Sequence, residues 1–169
     1  MGRKKKKKKK EKSKFKFRST ERFLRPDARY NNMVCTKMIN LIMWDGKKST
    51  AEKIFYDCMD ILAKKVTDAE PLDVFLAAVN NVKPIVEVRS RRVGGATYQV
   101  PMEVGRKRAQ TIAIRKIVEI ARLKGGKPMA QRLSDELLAA YRKEGQSMTW
   151  RENTHKMAEA NKLFAHYAW

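Results

Sequence analysis

The sequence predicts a mainly α-helical fold: a six-helix domain with a protruding two-stranded β-hairpin arm between the third and fourth helices. Three observations predict it. Apolar residues recur at helical spacing in successive stretches, residues 86–104 alternate with period two and bend at a Gly pair, and 169 residues is a length that buries one sizeable core. Residues 1–20 form a separate Lys-rich tail, and 21–169 make the single folded domain.

The tail, "MGRKKKKKKKEKSKFKFRST", has too little apolar surface to offset the entropy of ordering, and its like charges repel, so it is expected to stay disordered until it meets a polyanion. The first helix lies between Asn31 and Trp44, where Val34, Met38, Leu41 and Ile42, with Cys35 and Ile39 beside them, make one apolar stripe that Gly46 ends. "STAE" at Ser49–Glu52 reads as a capping box starting a second helix that runs to about Lys65. Pro71 suits the first turn of a third, ending near Val82. Beyond the arm, "RKRAQTIAIRKIVEIARLK" places Ala113, Ile117, Ile120 and Ala121 on one face. "MAQRLSDELLAAYRKEG" does the same with Leu133, Leu137, Ala140 and Tyr141, and Gly125-Gly126 separates the two. "TWRE" at Thr149–Glu152 reads as a second capping box, opening a last helix towards Trp169.

In the arm, Val86, Val88 and Ser90 alternate with Glu87, Arg89 and Arg91, while Tyr98, Val100 and Met102 alternate with Thr97, Gln99 and Glu103. Sorting apolar from polar residues pairs Val88 with Val100 across a three-residue loop of Val93, Gly94 and Gly95. Pro101 has no N–H, so its nitrogen is expected to face outward from an edge.

The formal charge is +21, of which the tail supplies +11, so the folded body is basic in its own right and points to a polyanionic partner. No apolar run reaches the roughly 18 residues of a spanning helix, which argues against a membrane protein. Arg89, Arg91 and Arg92, followed by Arg106, Lys107 and Arg108, are expected to line one side of the arm with guanidinium forks suited to phosphate. Lys47 and Lys48, in "DGKKST", sit in an interhelical turn. This is no P-loop, since Leu41 stands where that motif needs Gly and Lys48 where it needs Ser or Thr. His155 and His166 lack metal-pair spacing and read as packed or hydrogen-bonded, and Cys35 and Cys58 as reduced core residues. No metal, cofactor or catalytic residue is expected.

"VEVRSRR" (Val86 to Arg92), "RVGGATYQVPMEV" (Arg92 to Val104), "DGKKSTAEKI" (Asp45 to Ile54) and "HKMAEANKLFAHYAW" (His155 to Trp169) closely resemble the bacterial-type family of seventh proteins of the small ribosomal subunit, over about Pro26 to Trp169. The resemblance implies the same six helices and arm. It also implies primary binding to the 3′ major domain of small-subunit ribosomal RNA, nucleating assembly of the subunit head. The arm would lie near exit-site transfer RNA, with neighbouring ribosomal proteins, no homo-oligomer and a cytoplasmic location. The RNA-binding positions it implies are Lys47, Lys48, Arg89, Arg91, Arg92, Arg106 and Arg108, with Arg25, Arg29, Lys37 and Arg115 added. The tip near transfer RNA is Val93, Gly94, Gly95 and Ala96. The Lys-rich tail is longer and more basic than the family's usual start, so its path is not inherited. The alternative is an architectural DNA-binding protein whose Arg-rich ribbon enters a minor groove.

Overall fold

The structure, a computed structural model, describes residues 23–168. The expected tail, 1–20, lies outside them, as does Trp169. Six α-helices and one hairpin follow in the expected order: α1 (Met33–Ile42), α2 (Lys48–Lys65), α3 (Pro71–Val82), β1 (Val86–Val93), β2 (Ala96–Glu103), α4 (Arg106–Leu123), α5 (Met129–Tyr141) and α6 (Gln146–Ala160). The last helix stops short of the expected end. At Asn161 the chain tightens into a 3₁₀ segment, Lys162–Tyr167.

Helix α5 is the central element, packed on α2, α3, α4 and α6. Leu133 and Leu137 of α5 meet Phe55, Met59, Phe75, Ile114 and Ile117 in one core, where the rings of Phe55 and Phe75 cross edge to face at 5.6 Å. Cys35 and Cys58 are buried in it, and burial pushes both thiols up to about 12, so neither is a nucleophile. In α1 the buried stripe is Cys35, Met38, Ile39 and Ile42, with Val34 and Leu41 only half-buried at its margins.

Neither expected capping box forms, for different reasons. Ahead of α2, Asp45 and Gly46 both take positive φ, and the Lys48 amide donates to the Gly46 carbonyl at 2.8 Å, so the helix starts at Lys48 with Ser49 already inside it. Helix α6 starts at Gln146, and its orphan amides are served from another helix. The buried carboxylate of Glu136 on α5 accepts from the Ser147 amide at 2.9 Å and the Ser147 hydroxyl at 2.6 Å, while Lys124 holds its other oxygen at 2.5 Å. A fixed anion at a helix N-terminus also meets the positive end of the dipole. Gly145 makes the approach feasible: its φ is +89°, and a Cβ there would fall 2.9 Å from the Ala139 Cβ.

The hairpin register differs by one residue from the expected one. Val93 pairs with Ala96, Arg91 with Tyr98, Arg89 with Val100 and Val88 with Pro101. The turn is Gly94-Gly95, with φ of +58° and +88°, so both glycines take the left-handed conformation of a type I′ turn, whose twist matches that of the strands. Turn geometry thus outweighed the sorting of faces. Counting from the closing pair, Val88 and Pro101 form a non-hydrogen-bonded pair, where a residue without an N–H costs the ladder nothing.

Candidate nucleic-acid interface

The register decides where the arm's arginines go. Glu87, Arg89 and Arg91 share a face with Tyr98, Val100 and Met102, and this face leans on the C-terminal segment. Tyr98 packs on the rings of Phe164 and Tyr167, each at 5.2 Å, and Val100 is buried. Arg91 donates to the Tyr167 carbonyl at 2.9 Å. Arg92 lies on the opposite face beside Thr97. The three arginines therefore do not line one side.

Arg89 stays at the arm's root, tied to Arg108 at the start of α4 through one carboxylate. Both guanidinium Nε atoms donate to Glu87, at 2.5 Å from Arg89 and 2.8 Å from Arg108. Burial raises the Glu87 pKa, but hydrogen bonds from Arg108 and Arg89 outweigh it and hold the carboxyl below its ordinary value. Each guanidinium keeps a far side, and each arginine side chain remains about half exposed. On the same edge, His155 of α6 accepts from the Ile85 amide at 3.1 Å. Burial, then Arg151, lower its pKa, so it fastens the arm as a neutral ring. His166 donates to the Leu163 carbonyl at 2.8 Å, so both histidines serve structure.

From Arg108 the basic surface continues along α4. Arg115 and Arg122 follow at seven-residue steps, nearly two turns each, which puts the three on one stripe at intervals of about 10 Å. Arg115 and Arg122 line a depression with Leu41 of α1. Arg122 then lines a second with Trp44 and Lys47, and Lys48 lines a third with Arg25. The result is a band running from the arm's root along α4 to the α1–α2 turn and the entry segment. Among the described residues, the side chains of Arg25, Lys47, Arg106 and Arg115 have no acidic partner, while Lys48 reaches Glu52 only at 3.7 Å. Unpartnered cations along one path are what a phosphate backbone can neutralise.

Two sequence-selected residues stand differently. Arg29 is paired with Asp60 at 2.6 Å and sits near the Tyr30 and Tyr56 rings. Lys37 is half-buried on α1. Arg122 is the residue that sequence reasoning missed. Its Nη2 donates to the carbonyls of Leu41 and Ile42, capping α1, and its guanidinium lies 5.3 Å from the centre of the Trp44 ring. The recurrence of Arg at 108, 115 and 122 was the available signal.

With this geometry in place, comparison with known proteins is specific. The family described as ribosomal protein S7p/S5e matches residues 7–162. A small ribosomal subunit protein uS7 from Fervidobacterium nodosum is 55% identical over 152 residues, covering 90% of this chain and 97% of the relative. The uS7 of Rhodopirellula baltica is 54% identical over 85% of this chain and 92% of its own, and that of Syntrophomonas wolfei 55% over 88% and 95%.

Proposed function

We propose, from the premise that the chain belongs to the S7p/S5e family of ribosomal proteins, that it is a structural constituent of the small ribosomal subunit, with no enzymatic role, that binds ribosomal RNA through the α4 band. The finer reading is primary binding to the 3′ major domain, nucleating the subunit head, with the arm tip near exit-site transfer RNA. The observation that supports RNA binding is the band of unpartnered cations Arg25, Lys47 and Arg115, joined by Arg108 and Arg89 at the arm's root. Structured RNA is gripped through phosphates and shape over a broad surface, and a band that crosses an entry segment, an interhelical turn, a helix and a hairpin root suits that.

The ribbon's own arrangement disfavours the DNA-bending alternative. A minor-groove wedge needs its arginines together along one side of the ribbon, whereas here Arg91 turns to the Tyr167 carbonyl and Arg92 lies on the opposite face.

The division between root and tip is testable. Removing Arg92, Val93, Ala96 and Thr97 deletes two cross-strand pairs, keeps the Gly94-Gly95 turn, and closes it on Arg91 and Tyr98 in the same register. The arm then loses about 7 Å of reach. Affinity for a transcript of the 3′ major domain should change less than about threefold, because the removed residues lie at the tip, outside the α4 band. Exit-site transfer RNA occupancy in reconstituted ribosomes should fall. Loss of binding to the transcript, with occupancy unchanged, would reverse the assignment.

A further inference from the structure

The α1–α2 turn carries a feature that charge does not explain. Trp44 is 67% exposed, an unusual setting for the largest apolar side chain, and it is held firmly. The Lys47 amide donates to the Trp44 carbonyl at 2.9 Å, and Asp45 and Gly46 between them take positive φ, so the turn is closed on the tryptophan. Arg122 covers one side of the indole, with its Nη2 fixed on the carbonyls of Leu41 and Ile42. Trp44, Lys47 and Arg122 rim a depression whose floor is apolar, made by Ile42, Ala51 and Met129.

We propose that this depression is a socket for one unpaired nucleotide of RNA, its base stacked on the open side of the Trp44 indole and its phosphate held by Lys47. The inference rests on the RNA-binding reading above. An apolar floor alone would suit many occupants. The two cations at the rim, their continuity with the basic band, and an aromatic plane already backed by a guanidinium select a flat, π-faced group attached to an anion, and a nucleotide is both. Lys47 has no acidic partner among the described residues, so a phosphate there displaces nothing. The socket gives the protein a way to prefer RNA with an extruded base at one point over a uniform duplex, which the phosphate contacts cannot do.

The test uses the full chain and a transcript of the 3′ major domain, with Trp44→Leu, Trp44→Phe and Lys47→Ala. Stacking on an aromatic is lost with leucine, so Trp44→Leu should weaken binding by about 5- to 150-fold. Its salt dependence should be unchanged, because no phosphate contact is lost, and Trp44→Phe should recover most of the affinity. Lys47→Ala should instead lower the log-log salt slope by about 0.7 to 0.9. RNA should quench tryptophan fluorescence in the wild type more than in Trp44→Leu. All variants should unfold at the wild-type temperature. If Trp44→Leu binds and quenches like the wild type while Lys47→Ala is weakened, the RNA reading stands and the socket falls. If both bind normally, the band itself is misassigned. A Trp44→Leu defect seen only when other ribosomal proteins are present would mean that an apolar protein side chain fills the depression, which also overturns the proposal.

Discussion

Reversing charge at two points of the band, Lys47→Glu with Arg115→Glu, is expected to weaken binding to the 3′ major domain of small-subunit RNA by about a hundredfold or more. A charge-assisted hydrogen bond contributes about 1.5 kcal/mol at the low end, so losing two costs about 3 kcal/mol before repulsion is counted. Both side chains are exposed and lack acidic partners among the described residues, so folding stability should stay within about 0.5 kcal/mol per site. The control is Lys64→Glu with Arg142→Glu, which changes net charge equally. Lys64 is at the far end of α2, about 24 Å along the axis from Lys48, and neither residue lines the band. The control pair should lose far less affinity, because fields are screened over about 8 Å at physiological salt. Equal losses from both pairs would mean that overall charge, and no defined surface, drives association.

The largest effect on stability is expected at Glu136. This carboxylate is fully buried, yet every oxygen has a partner: the Ser147 amide and hydroxyl on one, Lys124 on the other. Glu136→Leu leaves the two Ser147 donors without an acceptor, uncaps α6 and strands Lys124, and should cost about 3 to 5 kcal/mol, lowering the thermal midpoint by about 10 °C. Glu136→Gln keeps an acceptor facing Ser147 and should cost less. The pH dependence follows from the same contacts. Burial raises the Glu136 pKa, but the bonds from Lys124 and Ser147 outweigh it and leave it below its ordinary value of 4.5. A depressed carboxyl contributes its stability above the unfolded-state value and loses it as pH falls through the folded-state one. The gap between wild type and Glu136→Gln, full near neutrality, should therefore narrow below pH 4.5. A gap that stays constant down through that range in thermal melts would show that the charge on Glu136 contributes nothing.

What was legible in the sequence was what local periodicity determines. The α4 and α5 stripes, the Pro71 start of α3, the buried cysteines and the Gly-bent arm all follow from spacing and residue type within a few turns of chain. What was not legible depended on partners far away in sequence. The cap of α6 comes from Glu136, eleven residues before Ser147 on another helix, so the local "TWRE" signal placed the N-cap at Thr149, four residues after the observed Gly145. The hairpin register was a contest between face sorting and turn chemistry, and only the dihedral angles of Gly94 and Gly95 show which won. That one-residue slip carried Arg89 and Arg91 to the face of Tyr98 and Val100, where Glu87 and the Tyr167 carbonyl receive them. Lys47, Lys48 and Arg115 lie on accessible surface, and the seven-residue recurrence of Arg108, Arg115 and Arg122 was in the sequence, but that Arg122 meets Leu41 and Trp44 of the α1–α2 region depends on packing between distant segments.

If the α4 band recognises a folded RNA, as opposed to any polyanion, the chain should discriminate RNA from DNA at every ionic strength. Affinity of the full chain is measured across a salt series for a transcript of the 3′ major domain and for duplex DNA of equal length. Both should weaken as salt rises, since both are held by phosphate contacts. The RNA should remain favoured throughout, by about a thousandfold at physiological salt, the ordinary gap between specific and non-specific binding. Indistinguishable affinities at every salt concentration, or a preference for the duplex, would mean that the band holds any polyanion by charge alone.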